Sequence, residues 1–344
     1  MQRRSSSTYR IAAIAALFTC SLLYMASTNG VAAPQEIRIG ASIPLTGLGA
    51  TSGVYGKWGY STPINDINKA GGIYLSKYGK KLPVRLILYD DQVDPAKTAA
   101  NIERLILRDD VQALLGPAGS RAVVAAGTVA EREGVPMVTA QSPIRSFLRG
   151  CNQWTYVWSV FFDEQDMARQ QFLTMNIVQS NRKVALFTEH APDGITLGNL
   201  WNTYAPEYGY EVVYHAAFPV GASEFGDLIR RAQEKQADIV ISVAWLNETI
   251  TLWRQMRTLG YKPKAAFLEK GGESMEWWRV NGQAAHGTCG VGYWHPALGY
   301  PGAQERNRSA TQNLTLAMTS FYGVPCRHGH APLIPPGTLG TDSA

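Results

Sequence analysis

Several features that define other classes of protein are scarce in this sequence of 344 residues. Four cysteines are too few for a disulfide scaffold at this length, and none of them forms the C-x-x-C spacing of a zinc site. The six histidines are scattered, H-E-x-x-H is absent, and no Ser, His and Asp order predicts a hydrolase. Glycine and proline occur in ordinary proportions, which excludes collagen-like and disordered chains. We therefore expect a globular protein that needs no cofactor and no metal.

Excess positive charge is also small once the N-terminus is set aside. Residues 1–33 hold three arginines and no acid, so subtracting three from the formal net charge of +5 leaves +2. That is too little for a dedicated nucleic-acid-binding face. The arginines precede an apolar stretch at 11–25 and then small residues, the pattern of a secretory signal peptide. We expect cleavage near Ala32 and a periplasmic or otherwise extracytoplasmic protein, with an uncleaved anchor as the alternative.

From residue 36 onward, short apolar strands alternate with helical stretches. β-branched strands between helices indicate βαβ units and a parallel sheet with helices on both faces. The pattern pauses at 143–160 and then resumes as a second such unit, which suggests two lobes and a cleft. The predicted strands are 36–43, 84–89, 111–115, 135–139, 183–188, 211–218, 238–243 and 265–268. The predicted helices are 53–70, 95–108, 120–133, 163–179, 194–204, 224–236 and 248–259.

A glycine-rich turn after the first strand raises an alternative class, an NAD-dependent oxidoreductase. The turn at 47–53 has the spacing G-x-G-x-x-x-G, which is one residue too long for the dinucleotide fingerprint. Asp90, the acid after the second strand, comes about twice as late as a ribose-binding acid should. Both departures argue against this class, so an enzyme is not expected.

A set of ordered motifs resembles the type I periplasmic binding proteins, in particular their leucine/isoleucine/valine-binding branch. The opening strand reads EIRIGASIPLTG, and it is followed by INDINKAGGI, LILYDD with DPAK, LGP and EGVPMV. The resemblance covers about 36–303. It implies an α/β fold of two doubly wound parallel-sheet lobes joined by a hinge, which close over a small polar solute, an amino acid or a relative.

The resemblance also implies lobe boundaries and partners. Lobe one would comprise 34–155 plus 288–305 and lobe two 156–287, while 306–344 looks atypical, truncated or disordered. Proteins of this kind supply ABC importers, so a membrane permease and its ATPase are the expected partners of a monomer that binds no nucleic acid. A ligand-sensing module for amides, urea-like solutes or aromatic acids is the alternative. Whether Cys151 and Cys289 form a disulfide stays open.

The first lobe offers a site for a carboxylate. The helix predicted at 120–133 follows Gly119, and Ser120 falls where the resemblance places a carboxylate-binding serine; N-capping of the helix is the other interpretation. The next loop matches the segment that holds both charged groups of an amino acid, so Gln141 and Ser142 are expected to bind. Pro143 departs from the pattern, because it lacks the N–H and hydroxyl of the usual residue.

The second lobe should supply the partner of an ammonium group. Glu269, nine residues after Gly260, falls where the resemblance places that acid, and Trp245 matches an aromatic residue of the cleft. Ser52 and Asp193 stand where aromatic residues are frequent in related proteins. For Asp193 we expect a helix cap, with a second cationic group of the ligand as the alternative. The identity of the ligand stays open.

Overall fold

The computed structural model describes residues 34–148 and 153–291. Within these residues the chain forms two five-stranded parallel sheets and one two-stranded antiparallel hairpin. The elements are β1 Ile37–Ile43, α1 Ala50–Lys69, β2 Ile73–Leu75, β3 Lys80–Leu82, β4 Val84–Asp90, α2 Pro95–Leu107, β5 Ala113–Leu115, α3 Ser120–Glu133, β6 Met137–Thr139, α4 Ile144–Leu148 and β7 Val157–Ser159. They continue as α5 Glu164–Met175, β8 Lys183–Glu189, α6 Pro192–Tyr204, β9 Glu211–Phe218, α7 Gly226–Glu234, β10 Ile239–Ala244, α8 Leu246–Thr258, β11 Ala265–Lys270, α9 Met275–Asn281 and β12 Thr288–Cys289.

The first sheet has the strand order β4-β1-β5-β6-β7, and every neighbouring pair is parallel. Its core packs α2 and α3 against one face through residues such as Ile102, Leu105 and Val123, all fully buried. Asp94 begins α2, because its carboxylate accepts hydrogen bonds from the N–H groups of the first turn and Pro95 follows at the first helical position. We call the elements from β1 to β7 the first lobe.

The second sheet has the order β12-β11-β10-β8-β9, again parallel throughout. Its strands β8 and β10 are buried on both faces, which explains why their sequences are mostly apolar without alternation. One face packs α5 and α6 around Phe172 and Trp201, and the other packs α7 and α8 around Phe225 and Trp277. The elements from α5 to β12 form the second lobe.

Residues 160–163 carry the chain from the first sheet to the second. Glu164, the first residue of α5, is fully buried and accepts hydrogen bonds from the N–H groups of Arg145 and Ser146, each at 2.8 Å. The guanidinium of Arg145 in turn pairs with Asp163. The start of α4 in the first lobe is thus held by the start of α5 in the second. These contacts join the two lobes where the chain passes from one to the other.

The predicted fold class is confirmed, and the predicted elements differ from the observed ones mostly at their ends. Helix α1 begins three residues earlier than expected, at Ala50, and the sequence did not predict the hairpin of β2 and β3. Strand β7 extends the first sheet to Ser159, and Cys289 lies in the second sheet with a free thiol. The first lobe therefore extends past the expected boundary at 155 to include β7, and the second lobe extends past 287 to include β12.

Three predictions fall on residues that the structure does not describe: the signal peptide at 1–33, the part of 288–305 beyond Val291, and the tail at 306–344. Cys151 also lies outside the described residues. Among the helices of the described residues, none combines the length and the apolar character that crossing a membrane requires.

Candidate ligand-binding cleft

Both lobes contribute to one cavity of about 360 Å³, a size typical of small-molecule sites. The lining residues follow the carboxyl ends of parallel strands, where open α/β sheets bind their ligands. The first lobe contributes Leu48, Gln92, Val93, Asp94, Pro95, Gly119, Ser120 and Arg121. The second lobe contributes Glu189, Ala191, Asp193, Val220, Trp245 and Lys270.

The wall of the first lobe centres on the N-terminus of α3. Gly119 is the N-cap residue, so no side chain caps the helix, and its φ of +85° with ψ of 141° is a conformation that essentially only glycine adopts. The first intrahelical bond runs from the N–H of Val123 to the carbonyl of Gly119. The preceding N–H groups, beginning with that of Ser120, therefore face the cavity with the positive end of the helix dipole. This wall suits a carboxylate.

A strained loop between β4 and α2 forms the rest of this wall. Gln92 and Val93 have φ values of +56° and +63°, which is exceptional for a β-branched residue. Two carboxylates hold them, because the N–H of Gln92 donates to Asp90 at 3.1 Å and that of Val93 to Asp91 at 3.0 Å. Asp91 is fully buried and also accepts from Ser42. These hydrogen bonds hold the loop in its strained conformation, in which Val93 lines the cavity.

The wall of the second lobe carries a cluster of three charged side chains. The Lys270 ammonium contacts both the Glu189 and the Asp193 carboxylates. Both acids are at most 2 % exposed, whereas Lys270 keeps about a fifth of its side-chain surface accessible at the cavity. Glu189 ends β8, Asp193 lies in the first turn of α6, and Lys270 ends β11, so tertiary structure brings them together.

The close approach of α6 to β8 depends on Gly194. A Cβ at this position would lie 1.9 Å from the carbonyl oxygen of Glu189, so no other residue fits without moving the helix. Lys270 has φ of +63° and ψ of −70°, a conformation that costs energy for any residue with a side chain. Its N–H donates to Glu273 at 3.1 Å, which helps to hold the turn.

Burial and charge set the protonation of this cluster. Burial raises the pKa of Glu189 to about 8, although Lys270 opposes the shift. Burial also acts to raise the pKa of Asp193, but the Lys270 ammonium outweighs it and the pKa is lowered. Burial acts to lower the pKa of Lys270, and the two carboxylates reverse this, so its pKa is raised. At neutral pH the pair of acids therefore holds one proton, on Glu189, and the cluster is electrically neutral.

Trp245 forms the apolar side of the cavity. It precedes α8 at the end of β10, and its ring lies under the Lys270 ammonium, with Nζ 4.8 Å from the ring centroid. Glu248 accepts a hydrogen bond from the Trp245 N–H at 2.9 Å and fixes the backbone of this residue. The ring reaches the first lobe, because a Cβ on Gly119 would lie 3.2 Å from Trp245 Cζ2.

Four of the eight residues predicted from sequence line this cavity: Gly119, Ser120, Asp193 and Trp245. Two capping interpretations are wrong, the alternative one for Ser120 and the expected one for Asp193. Ser120 does not cap α3, because Gly119 occupies the N-cap position, and Asp193 does not cap α6, because Ala191 is its N-cap residue. Trp245 lines the cavity and also packs against Gly119 of the first lobe.

Glu269 does not line the cavity. Successive residues of β11 point to opposite faces of the sheet, so Glu269 points inward where Lys270 points to the cavity. Its carboxylate is buried and accepts a hydrogen bond from Gln171, whose own oxygen accepts from the Trp201 indole at 2.7 Å. Burial and the neighbouring Glu273 raise the pKa of Glu269 well above its ordinary value. The acids of the second lobe that line the cavity are therefore Glu189 and Asp193, and the residue of β11 that reaches the cavity is Lys270.

Gln141, Ser142 and Ser52 also lie outside the cavity lining. The Gln141 carbonyl accepts from the Gly119 N–H at 3.0 Å, and its side chain lies against Gly56 of α1. Ser142 is fully buried, and Ser52 lies in the first turn of α1. Gln141 therefore supports the loop before α3 from behind.

Sequence reasoning missed three groups of the cleft: Glu189, Lys270 and the strained pair Gln92 and Val93. The sequence Asp90-Asp91-Gln92-Val93 held a signal, because acids at i and i+2 of a turn are the partners that strained N–H groups need. Glu189 lies at the end of a strand whose central residues, Val184 to Phe187, are apolar, which also marks it. Lys270 gave no such signal, because both faces of β11 are buried and alternation cannot assign its side chain.

The Glu189→Gln variant should change the pH dependence of stability. The raised pKa of Glu189 means that its contribution is fully present below the unfolded value near 4.5 and is lost as pH rises through about 8. Glutamine imitates the protonated acid, so wild type should lose on the order of a few kcal/mol relative to the variant between pH 5 and 9. Urea unfolding across this range measures it. Glu224→Gln, at an exposed position of the same lobe, should follow wild type; parallel curves for all three proteins would contradict the assignment.

Two α/β lobes that enclose a cavity with their strand ends define a two-lobed solute-binding protein. A family model described as periplasmic binding protein matches residues 36–323, and the chain therefore belongs to this family. Among curated proteins, Leu/Ile/Val-binding protein homolog 8 of Brucella suis biovar 1 (strain 1330) is 25% identical over 321 residues, covering 89% of this chain and 75% of the relative. The similar proteins described here are named for solute binding rather than for catalysis.

Solved structures show the same fold. The leucine-binding protein LivK of Thermotoga maritima MSB8 matches with a TM-score of 0.69 and 21% identity, covering 84% of this chain and 77% of its own. A solute-binding protein of an ABC transporter from Rhodopseudomonas palustris BisB5, in complex with 3,4-dihydroxybenzoic acid, matches with a TM-score of 0.63 and 18% identity, covering 84% and 75%. Membership of the family implies a periplasmic location.

Proposed function

We propose that this protein captures a small carboxylate solute, an amino acid or a close relative, in its cleft and delivers it to the permease and ATPase of an ABC importer. The observation that carries the proposal is the uncapped N-terminus of α3, which faces the cavity without a side-chain cap. Helix N-termini bind carboxylates through free N–H groups and the dipole. The cavity volume of about 360 Å³ suits a ligand of this size.

The ligands for which similar proteins are named support a carboxylate. Leucine, isoleucine and valine appear in the names of relatives, and a dihydroxybenzoic acid occupies one solved structure. These molecules share a carboxylate and an apolar body. The cleft offers a matching arrangement, with the α3 N-terminus at one side and Val93, Val220 and Trp245 as apolar walls.

The proposed function also includes export of the protein and closure of its lobes on the solute. Residues 1–33 serve as a signal peptide that is removed near Ala32, and the mature protein works as a monomer outside the cytoplasm. Binding closes the lobes about the connection at 160–163, as in hinge closure around ligands. Small-angle scattering with and without saturating ligand tests closure, since an unchanged radius of gyration would contradict it.

The ligand itself should emerge from a thermal-shift screen of amino acids, amides, urea-like solutes and aromatic acids. A ligand that binds only the native state raises the unfolding temperature as its concentration exceeds Kd. A carboxylate solute is expected among the stabilising compounds. Stabilisation by uncharged solutes alone would contradict the proposal.

The Ser120→Ala variant should weaken binding of the stabilising carboxylate by about 1–2 kcal/mol, because it removes a hydroxyl from the first turn of α3 and thus one charge-assisted hydrogen bond. Titration calorimetry measures the loss. Thr128→Ala, on the exposed side of the same helix, is the matched control, since its hydroxyl bonds only to the Val124 carbonyl. Equal affinities in all three proteins would remove Ser120 from the site.

A further inference from the structure

The charged cluster of the second lobe contains two carboxylates and one ammonium. Glu189 and Asp193 are both buried, and Lys270 contacts both of them. Two ionised acids with a single cation would leave a net negative charge out of water, which is strongly unfavourable. If both carboxylates were ionised, the cluster would need one more positive charge to be neutral.

The carboxylates also have unused hydrogen-bonding capacity. Apart from the hydrogen bond that links the Glu189 and Asp193 side chains to each other, Glu189 Oε2 and Asp193 Oδ1 are buried without a hydrogen-bond partner in the part of the chain that the structure describes. Buried polar atoms are rarely left without a partner in native proteins. Both residues line the cavity between the lobes, so a donor group of a bound solute can reach them.

Other charged groups near the cluster do not supply the missing cation. Glu248 of α8 faces Glu189 and adds a further negative potential. From the first lobe, Arg121 lines the same cavity but forms no ion pair with either acid in the described part of the chain, and the Asp94 carboxylate accepts the N–H groups at the start of α2. On β9, His215 contacts Thr188, the residue before Glu189, at 3.1 Å. Of the groups named here, only Lys270 contacts both acids.

We propose that the Glu189–Asp193–Lys270 cluster is the subsite for a cationic group of the solute, and that an ammonium entering the cleft takes the place of one proton held by the carboxylate pair. The inference rests on the proposed function and narrows the solute to a zwitterion, such as an amino acid. The carboxylate lies at the N-terminus of α3 in the first lobe, and the ammonium lies between Glu189 and Asp193 in the second.

Charge balances in this exchange. Before binding, Glu189 is protonated, Asp193 carries one negative charge and Lys270 one positive charge. When the ammonium enters, the Glu189 proton leaves to the solvent, and two carboxylates then face two cations. The pKa of Glu189, raised to about 8 by burial, fits this exchange, because the proton is present at neutral pH and costs little to remove.

The exchange has two measurable consequences. Each amino acid that binds near pH 7 should release close to one proton, and the release should vanish above pH 9. Affinity should therefore rise by up to about tenfold per pH unit between pH 6 and 8, and then level off. A 2-hydroxy acid of the same shape lacks the ammonium, so its binding should release no proton and should vary little over this range.

The experiment uses the mature protein and a panel of the twenty amino acids, each paired with its 2-hydroxy acid where one exists. Calorimetry in buffers with different ionisation enthalpies counts the protons released on binding. The same titrations are repeated with Glu189→Gln and with Glu269→Gln. The second variant is the matched control, because Glu269 is an equally buried acid of the same lobe that bonds to Gln171 instead of lining the cavity.

For the tightest amino acid, Glu189→Gln should abolish proton release and weaken binding about tenfold or more, as for loss of an ionic partner. The variant should change the affinity for the 2-hydroxy acid less than about threefold, because glutamine imitates the protonated acid. Glu269→Gln should leave the proton count unchanged.

Four outcomes would overturn the inference. Amino-acid binding without proton release would do so and would leave the proposed function intact. If proton release were lost in Glu269→Gln but not in Glu189→Gln, the ammonium would bind at Glu269, the acid expected from sequence. Binding of 2-hydroxy acids or aromatic acids, with no binding of amino acids, would refute the zwitterion while keeping a carboxylate solute. If no member of the panel binds, the inference and the proposed function both fail.

Discussion

Replacement of Lys270 by methionine is expected to lower the free energy of unfolding by about 3–5 kcal/mol at pH 7, because it leaves the buried Asp193 carboxylate without its cation. Methionine keeps the length and apolar stem of lysine, so the loss reports on charge more than on packing. The loss should shrink toward pH 5. Without Lys270 the pKa of Asp193 is no longer held down, and protonation then removes the buried charge. Urea unfolding at both pH values measures the change.

Lys264→Met supplies the matched control for this prediction. Lys264 pairs with Asp238 at 2.9 Å in the same lobe, but about half of its side chain is exposed. Exposed ion pairs contribute only about 0–1 kcal/mol, so the control should lose little at either pH. Equal losses in the two variants, or a Lys270→Met loss that does not depend on pH, would contradict the protonation assigned to the cluster.

The Gly119→Ala variant should weaken ligand binding by at least about tenfold. The φ and ψ of Gly119 lie in a region that costs a residue with a Cβ about 1–3 kcal/mol. The new methyl group would also lie 3.2 Å from the Trp245 ring, in the contact between the lobes. Either relaxation of the loop or displacement of the ring disturbs the N–H groups that face the cavity. Titration calorimetry with the ligand of the wild type measures the effect.

Gly134→Ala separates backbone strain from the effect on the cleft. Gly134 ends the same helix with φ of +68°, and an added Cβ there would lie 3.7 Å from the Tyr156 ring, an ordinary contact. This control should lose about 1 kcal/mol of stability through the left-handed conformation and keep its affinity. If it lost affinity as strongly as Gly119→Ala, the effect at Gly119 would be one of general stability.

The sequence predicts the strands and helices of the fold better than it predicts the residues of the site. Strand β10 and helix α3 were predicted to within a residue, because β-branched apolar runs and helical spacing are local properties of the chain. The hairpin of β2 and β3 was missed, since each strand has three residues and its pairing depends on a partner. The largest errors at helix ends are at the start of α1, which begins at Ala50 instead of 53, and at the end of α5, which stops at Met175 instead of 179.

Where the chemistry is local, the residues predicted for the site line the cavity. Gly119 and Ser120 were found because a helix start after a strand is visible in the sequence. Glu269 was selected instead of Lys270 because the family resemblance places an acid nine residues after Gly260. A count along the chain cannot tell which of two neighbouring residues faces the cavity. The positive φ of Lys270 and the close approach at Gly194 decide that orientation, and both arise from packing.

The sequence by itself determined the α/β class, the two parallel sheets, the family resemblance and the first-lobe wall at the start of α3. Each of these depends on residues close together in the chain, whose periodicity and order carry the information. Only the tertiary structure decided the charge of the cleft. Glu189, Asp193 and Lys270 come from three different elements, and their protonation follows from burial and from distances between them. Such quantities exist only once the lobes have folded and water has been excluded.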